Sequence, residues 1–327
     1  VRIFGWAADQ QGCGYYRVGL PLTTLRLQTE HETIASTLMP EEHAALADVI
    51  LGQRVCIPGA SATWQKLAAE GKPLVYEVDD DLWHVHETNA QAYDFFSDPD
   101  NVRRLSENIA VATAVTVTSD HLAAVVREHT DAPVYVVPNF IDAALLDHER
   151  EHRSRLTLGW AGSNTHLMDL RVAARPLRKL LTGYRLLDMH FIGQHYGKLI
   201  GRPDARSTTW QPTVPEYYQA VDFDIGIAPL ADEHFNLSKS PIKTLEYAAL
   251  GIPVVASNVG PYAEFVRHGV TGFLASTQAE WTRYLRDLVQ DRELREQMGK
   301  AAREQAADHT IQANAQRWLD VFERTRR

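Results

Sequence analysis

Short β-rich apolar runs alternate with helical patterns along almost the whole chain, and this alternation limits the fold more than any other feature. Parallel strands need crossover connections, so the pattern describes parallel sheets wound with helices. In the first half, strands are predicted at residues 2–6, 47–50, 73–78, 114–118 and 134–137, with helices at 20–29, 62–70, 102–113 and 119–128. Ser119, just before Asp120, reads as a helix N-cap. A second series starts at Leu156, with strands at 156–161, 186–192, 225–229, 253–256 and 272–274 and helices at 166–181, 215–221, 241–250 and 262–266. From Ala279 onward the pattern is helical. The stretch from Pro138 to Asp142 and the polar residues 147–155 separate the two series. A chain of 327 residues has room for two such units. We therefore expect an α/β protein of two Rossmann-like domains, 1–145 and 146–305.

The remaining composition excludes several classes. Apolar residues make up 45% and charged residues 23%, as in ordinary globular chains. No apolar run approaches the ~20 residues of a membrane span, and no signal peptide is visible. Cys13 and Cys56 stand alone, without CxxC spacing, which fits a reducing compartment and argues against structural zinc. A cytoplasmic location, in a bacterium or a phage-infected host, is expected. The net charge of −9 counts against a dedicated duplex-binding protein. The charge is uneven, however. Arg171, Arg175, Arg178, Lys179, Arg185, Lys198, Arg202 and Arg206 face only Asp188 and Asp204 in that stretch. This is either a solvated helix face or a surface for an anionic substrate.

Three stretches carry candidate chemistry. In the first, Ser240 is placed to cap a helix opened by Pro241 and closed by Gly251. Its free amides and dipole would favour a phosphate, and Lys243 in the first turn, against the dipole, suggests a bound anion. Glu246 lies one turn further on the same face and could accept two ribose hydroxyls; an i,i+3 ion pair on a solvated face would look the same. In the second, Gly12 and Gly14 follow the first strand, where glycine lets backbone approach a phosphate or sugar. The usual GxGxxG spacing fails at Arg17, which disfavours a nicotinamide enzyme. In the third, Asp79, Asp80 and Asp81 end an apolar strand, where open α/β sheets bind ligands. They could serve an acceptor hydroxyl or a donor sugar, hold a metal through Asp79, Asp81, His84 or His86, or simply cap a turn.

The stretch from Phe235 to Ser257 resembles the signature of retaining GT-B glycosyltransferases, glycosyl transferases group 1. In that family two glutamates, with seven residues between them, precede a small-residue helix and Gly-x-Pro-Val-Val-Ala. Glu246 matches the second, which holds the ribose. Ser238 stands where the first, a donor-sugar ligand, would be. Val254-Val255-Ala256-Ser257, Gly260 and Val270-Thr271-Gly272 resemble the run that follows, and Gly159-Trp160-Ala161-Gly162-Ser163 the opening strand and loop of the second domain. The family's Arg and Lys after that strand are replaced by Asn164, Thr165 and His166, leaving Lys243 and Arg17 as substitutes. The Gly-Tyr-Tyr-Arg form at 14–17 is similar to short glycosyltransferases of phages and actinobacteria.

The resemblance implies a GT-B fold, with domains facing each other across a cleft and a C-terminal helix, 306–327, crossing back to the N-terminal domain. It implies sugar transfer from a nucleoside diphosphate donor to an acceptor hydroxyl, with retention. Asp80, Asp81, Arg17 and Lys243 are the expected catalytic residues. Gly12, Gly14, Tyr16, Gly162, Ser163, Thr213, Asn236, Lys239, Ser240 and Glu246 are the expected donor-binding residues. No metal or other cofactor is expected. The acceptor is open: a hydroxymethylated base in DNA, or a hydroxyl of a protein, lipid or metabolite. A sugar-nucleotide epimerase of the same fold and a non-catalytic sugar-binding protein remain as alternatives. Trp210 and Thr213 lie where the family's second domain meets the base, although core is the commoner reading of such a Trp; Trp6, Trp64 and Trp281 are read as core.

Overall fold

The computed structural model describes residues 1–87, 89–150 and 154–326. Residues 151–153 of the expected linker and Arg327 of the expected last helix lie outside them. The chain divides into two compact units. One takes Val1–Asp142, Ser238–Ser240 and the C-terminal helix Ile311–Arg326; the other takes Ala143–Leu237 and Pro241–Thr310.

The N-terminal unit holds a parallel sheet of β1 (Arg2–Trp6), β2 (Glu32–Ser36), β3 (Val49–Gln53), β4 (Leu74–Glu77), β5 (Ala114–Val117) and β6 (Val134–Val136), in the order β2-β1-β3-β4-β5-β6. The C-terminal unit holds β7 (Thr157–Gly162), β8 (Asp188–Gly193), β9 (Arg206–Thr208), β10 (Ile225–Ala228), β11 (Val254–Ser257) and β12 (Gly272–Ala275), ordered β12-β11-β10-β7-β8-β9. All the pairings are parallel. Counted along the chain, the second order is that of dinucleotide-binding folds. The order reverses between β1 and β3 in one unit and between β7 and β10 in the other. Ligands of open α/β sheets bind beyond the carboxyl ends of the strands at such points.

The central strands bury every residue and read as mostly apolar runs, with Gln53, Glu77, Thr116 and Ser257 the polar exceptions, which is why they were legible. The N-terminal core packs Ile50, Leu74, Tyr76 and Val115 against Trp64, Leu105 and Ile109. The C-terminal core packs Leu158, Trp160, Phe191 and Ile225 against Leu177, Trp281 and Leu285. Trp64 and Trp281 are core as expected, whereas Trp6 packs against it only partly buried. Two strands were missed, β2 and β9. Both are polar sheet edges, where no buried alternation marks a strand. Ser119 caps the Asp120–Val126 helix as predicted, its hydroxyl accepting from Leu122 N.

Candidate active site

In the C-terminal unit the polar groups gather where β7 ends. Gly162 closes β7 and Ser163 opens the following turn, its hydroxyl 2.7 Å from that of Thr165. Gly193 ends the neighbouring β8 at φ +90°, and a side chain there would press within 2.4 Å of the Gly162 carbonyl and 2.9 Å of the Trp210 ring. Only glycine allows this approach of the two strand ends. Trp210 is 50% exposed over this point, which overturns its reading as core.

The helix Ile242–Ala249 supplies the two charged groups. Lys243 donates to the Ala161 carbonyl and lies 5.0 Å from the Trp160 ring centre. Its ammonium is thereby fixed at the end of β7, beside Gly162. Glu246 is 8% exposed and accepts from Tyr217 Oη at 3.1 Å. Burial, then Glu246, pushes the Tyr217 phenol well up, so it stays a donor. Glu246 is buried, so the pair does not lie on a solvated face. Thr213 does not line this group directly. It caps the Val214–Ala220 helix through a capping box with Glu216, and that helix carries Tyr217. Asn236 is a buried strut. Its amide donates to Asp169 at 3.0 Å and to the Ala231 carbonyl at 2.9 Å, while Asp169 also meets His166 at 2.7 Å.

In the N-terminal unit the carboxyl ends of β1, β3 and β4 carry a denser network. Gly12 has open space around it, but a Cβ at Gly14 would lie 1.9 Å from the Asp9 carbonyl. Asp9 Oδ1 in turn accepts from Gly14 N at 3.1 Å. Arg17 is 0% exposed. Its Nε and Nη2 grip Glu77 at 2.6 and 3.1 Å, its Nη1 donates to the Val137 carbonyl and to Asn139 Oδ1, and Trp318 lies beneath at 4.8 Å. Burial holds Glu77 above its usual value even against this cation. Asp81 is buried around the His84 turn, accepting from Trp83 N, His84 N and the His84 ring. Asp80 is the accessible carboxylate, its side chain 29% exposed and 3.1 Å from Arg54. Burial raises Asp80 against the opposing pull of Lys239 and Arg54. Asp79 goes the other way: burial would raise it, but Arg54 and Arg17 outweigh burial and hold it below the usual value.

Several expectations are corrected here. Arg17 is consumed by Glu77, Val137 and Asn139, so it cannot clamp a diphosphate. Tyr16 is core, stacked edge-on against Tyr15 at 5.1 Å. Asp81 caps a turn instead of facing a reactant. Ser240 does not cap the helix: the N-cap position falls on Pro241, and Ser240 Oγ accepts from Asn139 Nδ2 at 2.8 Å. Lys239 and Ser240 belong to the N-terminal unit. Arg54 was missed. It ties Asp79 to Asp80 from a backbone with φ +50°, the one non-glycine residue in the left-handed region among the described residues. No feature of the sequence around it announces that conformation.

Residues 204–305 match the family model of glycosyl transferases group 1. They make up the greater part of the second unit. The match lies almost wholly within the C-terminal unit. A stretch of 81 residues, 24% of the chain, is 38% identical to a Dictyostelium discoideum GDP-Man:Man(3)GlcNAc(2)-PP-Dol alpha-1,2-mannosyltransferase, covering 15% of that protein. Another of 114 residues, 34% of the chain, is 32% identical to the D-inositol 3-phosphate glycosyltransferase of Thermobispora bispora, covering 25% of it. The matches thus span a quarter or less of these two relatives. Among solved structures, Anabaena HepE in complex with UDP and glucose superposes with a TM-score of 0.67 at 14% identity, covering 99% of both chains. This likeness fixes the fold of the chain as that of GT-B glycosyltransferases.

Against the group 1 pattern, Ser238 is the clearest departure. It is fully buried, and its hydroxyl has no partner among the described residues. Its carbonyl accepts from Ser119 Oγ at 3.3 Å. A short neutral side chain therefore occupies the place where the group 1 signature has a glutamate.

Proposed function

We propose that the chain is a glycosyltransferase that moves a sugar from a nucleoside diphosphate to an acceptor hydroxyl. The observation that carries this is the placing of Lys243 and Glu246 one turn apart on one short helix at the carboxyl end of the second sheet, Lys243 on the Ala161 carbonyl and Glu246 on Tyr217. Glu246, steadied by Tyr217, would accept the ribose hydroxyls. Lys243, the amides opening the helix and the Gly162–Ser163 backbone would meet the diphosphate. Trp210, half exposed over Gly193, offers a ring for the base. The relatives named above are glycosyltransferases, and HepE binds UDP in its complex, which supports a donor of this class.

The reaction breaks the bond from the anomeric carbon to the diphosphate and forms one to the acceptor oxygen. Charge gathers on the departing phosphate, and Lys243 with the helix amides would stabilise it without a metal. The acceptor proton goes to the solvent or the leaving group. Asp80, beside Arg54, is the carboxylate we assign to the acceptor hydroxyl. Retention follows from the resemblance to the retaining family.

Calorimetry with a panel of nucleoside diphosphates tests the donor assignment. Binding of at least one, lost in Glu246→Ala, is expected; indifference of that variant would remove Glu246 from the ribose. Product configuration, read by NMR from a donor of known anomer, tests retention. Acceptor extracts of protein, lipid, metabolite and hydroxymethylated DNA identify the second substrate. Sugar interconversion with no acceptor would assign the chain to the epimerases instead.

A further inference from the structure

The outer face of the helix Leu167–Gly183 carries a row of cations that the site does not use. Arg171, Arg175, Arg178 and Lys179 are exposed there at spacings that share one helix face. Arg185 follows the helix, and Lys198 precedes Leu199, whose carbonyl accepts from Arg178 Nη2 at 2.8 Å. None of these six takes part in an ion pair among the described residues. Several exposed cations elsewhere are matched, as in Arg103 with Asp100 and Glu107, Arg292 with Glu296, and Arg2 with Glu32. Even within the same basic stretch, Asp204 takes up Arg202 and Asp222 takes up Arg206. In a chain of net charge −9, six unmatched cations on one side of one unit make a local positive field.

An apolar feature lies at the end of the same helix. Leu186, directly after Arg185, is 73% exposed. It helps to line a cavity of about 440 Å³ with Leu156, Tyr184, Leu187 and Val289, together with Arg155 and Arg185.

We propose that this face docks the C-terminal unit on a bilayer that carries anionic lipids. The cations face the headgroups, and Leu186 enters the boundary of the acyl region. A bilayer offers both an anionic plane and an apolar layer, so it answers both features at once. A nucleic acid answers only the first. The helix has no aromatic or amide side chain with which to stack or read a base, and a duplex gives Leu186 nothing to bury against. The inference goes beyond sugar transfer and does not depend on it.

The test is co-sedimentation of the full chain with vesicles of phosphatidylcholine alone or mixed with phosphatidylglycerol. Binding to the mixed vesicles alone is expected, and it should weaken as salt is added. Each basic residue near such a surface contributes roughly fivefold in partitioning, so Arg171→Gln/Arg175→Gln/Lys179→Gln should bind about a hundredfold less. Leu186→Ala should bind severalfold less with its salt dependence unchanged. Replacing the arginines by lysine should preserve binding. All these side chains are exposed, so melting temperatures should match the parent. Equal binding to neutral and anionic vesicles would overturn the proposal. So would a triple variant that binds like the parent, or retention of duplex DNA by this face with vesicles left unbound.

Discussion

The two units wind parallel six-stranded sheets in related orders, yet the charged groups of their candidate site stretches are held by different kinds of partner. In the N-terminal unit, charged residues at the strand ends answer one another: Arg17 with Glu77, Arg54 with Asp79 and Asp80, His84 with Asp81. In the C-terminal unit, the charged groups of the signature helix are held by backbone and phenol, Lys243 on the Ala161 carbonyl and Glu246 on Tyr217. Internally matched charges hold architecture. Arg17 and Asp81, spent on partners within the unit, are therefore not placed for the roles that the resemblance gave them.

The contrast can be broken most sharply at Arg17. Removing one partner of a buried ion pair leaves the other uncompensated, at a cost of about 3–5 kcal/mol. Arg17→Met should therefore lower the stability of the folded chain by that order, read in denaturant unfolding. Arg17→Met combined with Glu77→Leu should recover much of the loss. A single variant as stable as the parent would mean that the pair is not architectural.

The reverse holds at Glu246. Glu246→Ala should leave unfolding nearly unchanged while weakening nucleoside diphosphate binding by about 1.5–3 kcal/mol, the worth of a charge-assisted hydrogen bond. If stability fell and affinity stayed, the two units would not differ in the way described. A smaller effect is expected at the exposed ring. Trp210→Ala should cost about 1–3 kcal/mol of nucleotide affinity if the base stacks there. Ribose 5-phosphate, which has no base, should bind the parent and the variant alike.

The smallest effect concerns pH. Burial pushes the Cys56 thiol up to about 11, against the opposing pull of Arg104 and Arg54. Its folded-state value lies above the unfolded one of 9.0, so it favours the folded state below pH 9. That contribution drains away as pH rises from 9 through about 11. Cys56→Ala should flatten this part of the stability profile. In the folded parent, alkylation of Cys56 at pH 8 should be far slower than that of a free thiol, because little thiolate is present. Prompt labelling would show the site to be open.

The sequence by itself determined the α/β class, the two series of parallel strands and the place of the signature helix. Buried central strands are mostly apolar runs, and Gly251 and Pro253 punctuate the helix in one dimension. It also located Lys243 and Glu246, because their spacing along one helix fixes their common face. Tertiary structure decided which other charges were free to act. Arg17 meets Glu77 across 60 residues and Val137 across 120, and Arg54 meets Asp79 from a left-handed backbone. Trp210 lies exposed over Gly193 because two strand ends converge beneath it. A local pattern records the period of a helix or strand. Whether a charge is matched depends on groups that the chain brings together from far apart, and on how much water remains between them.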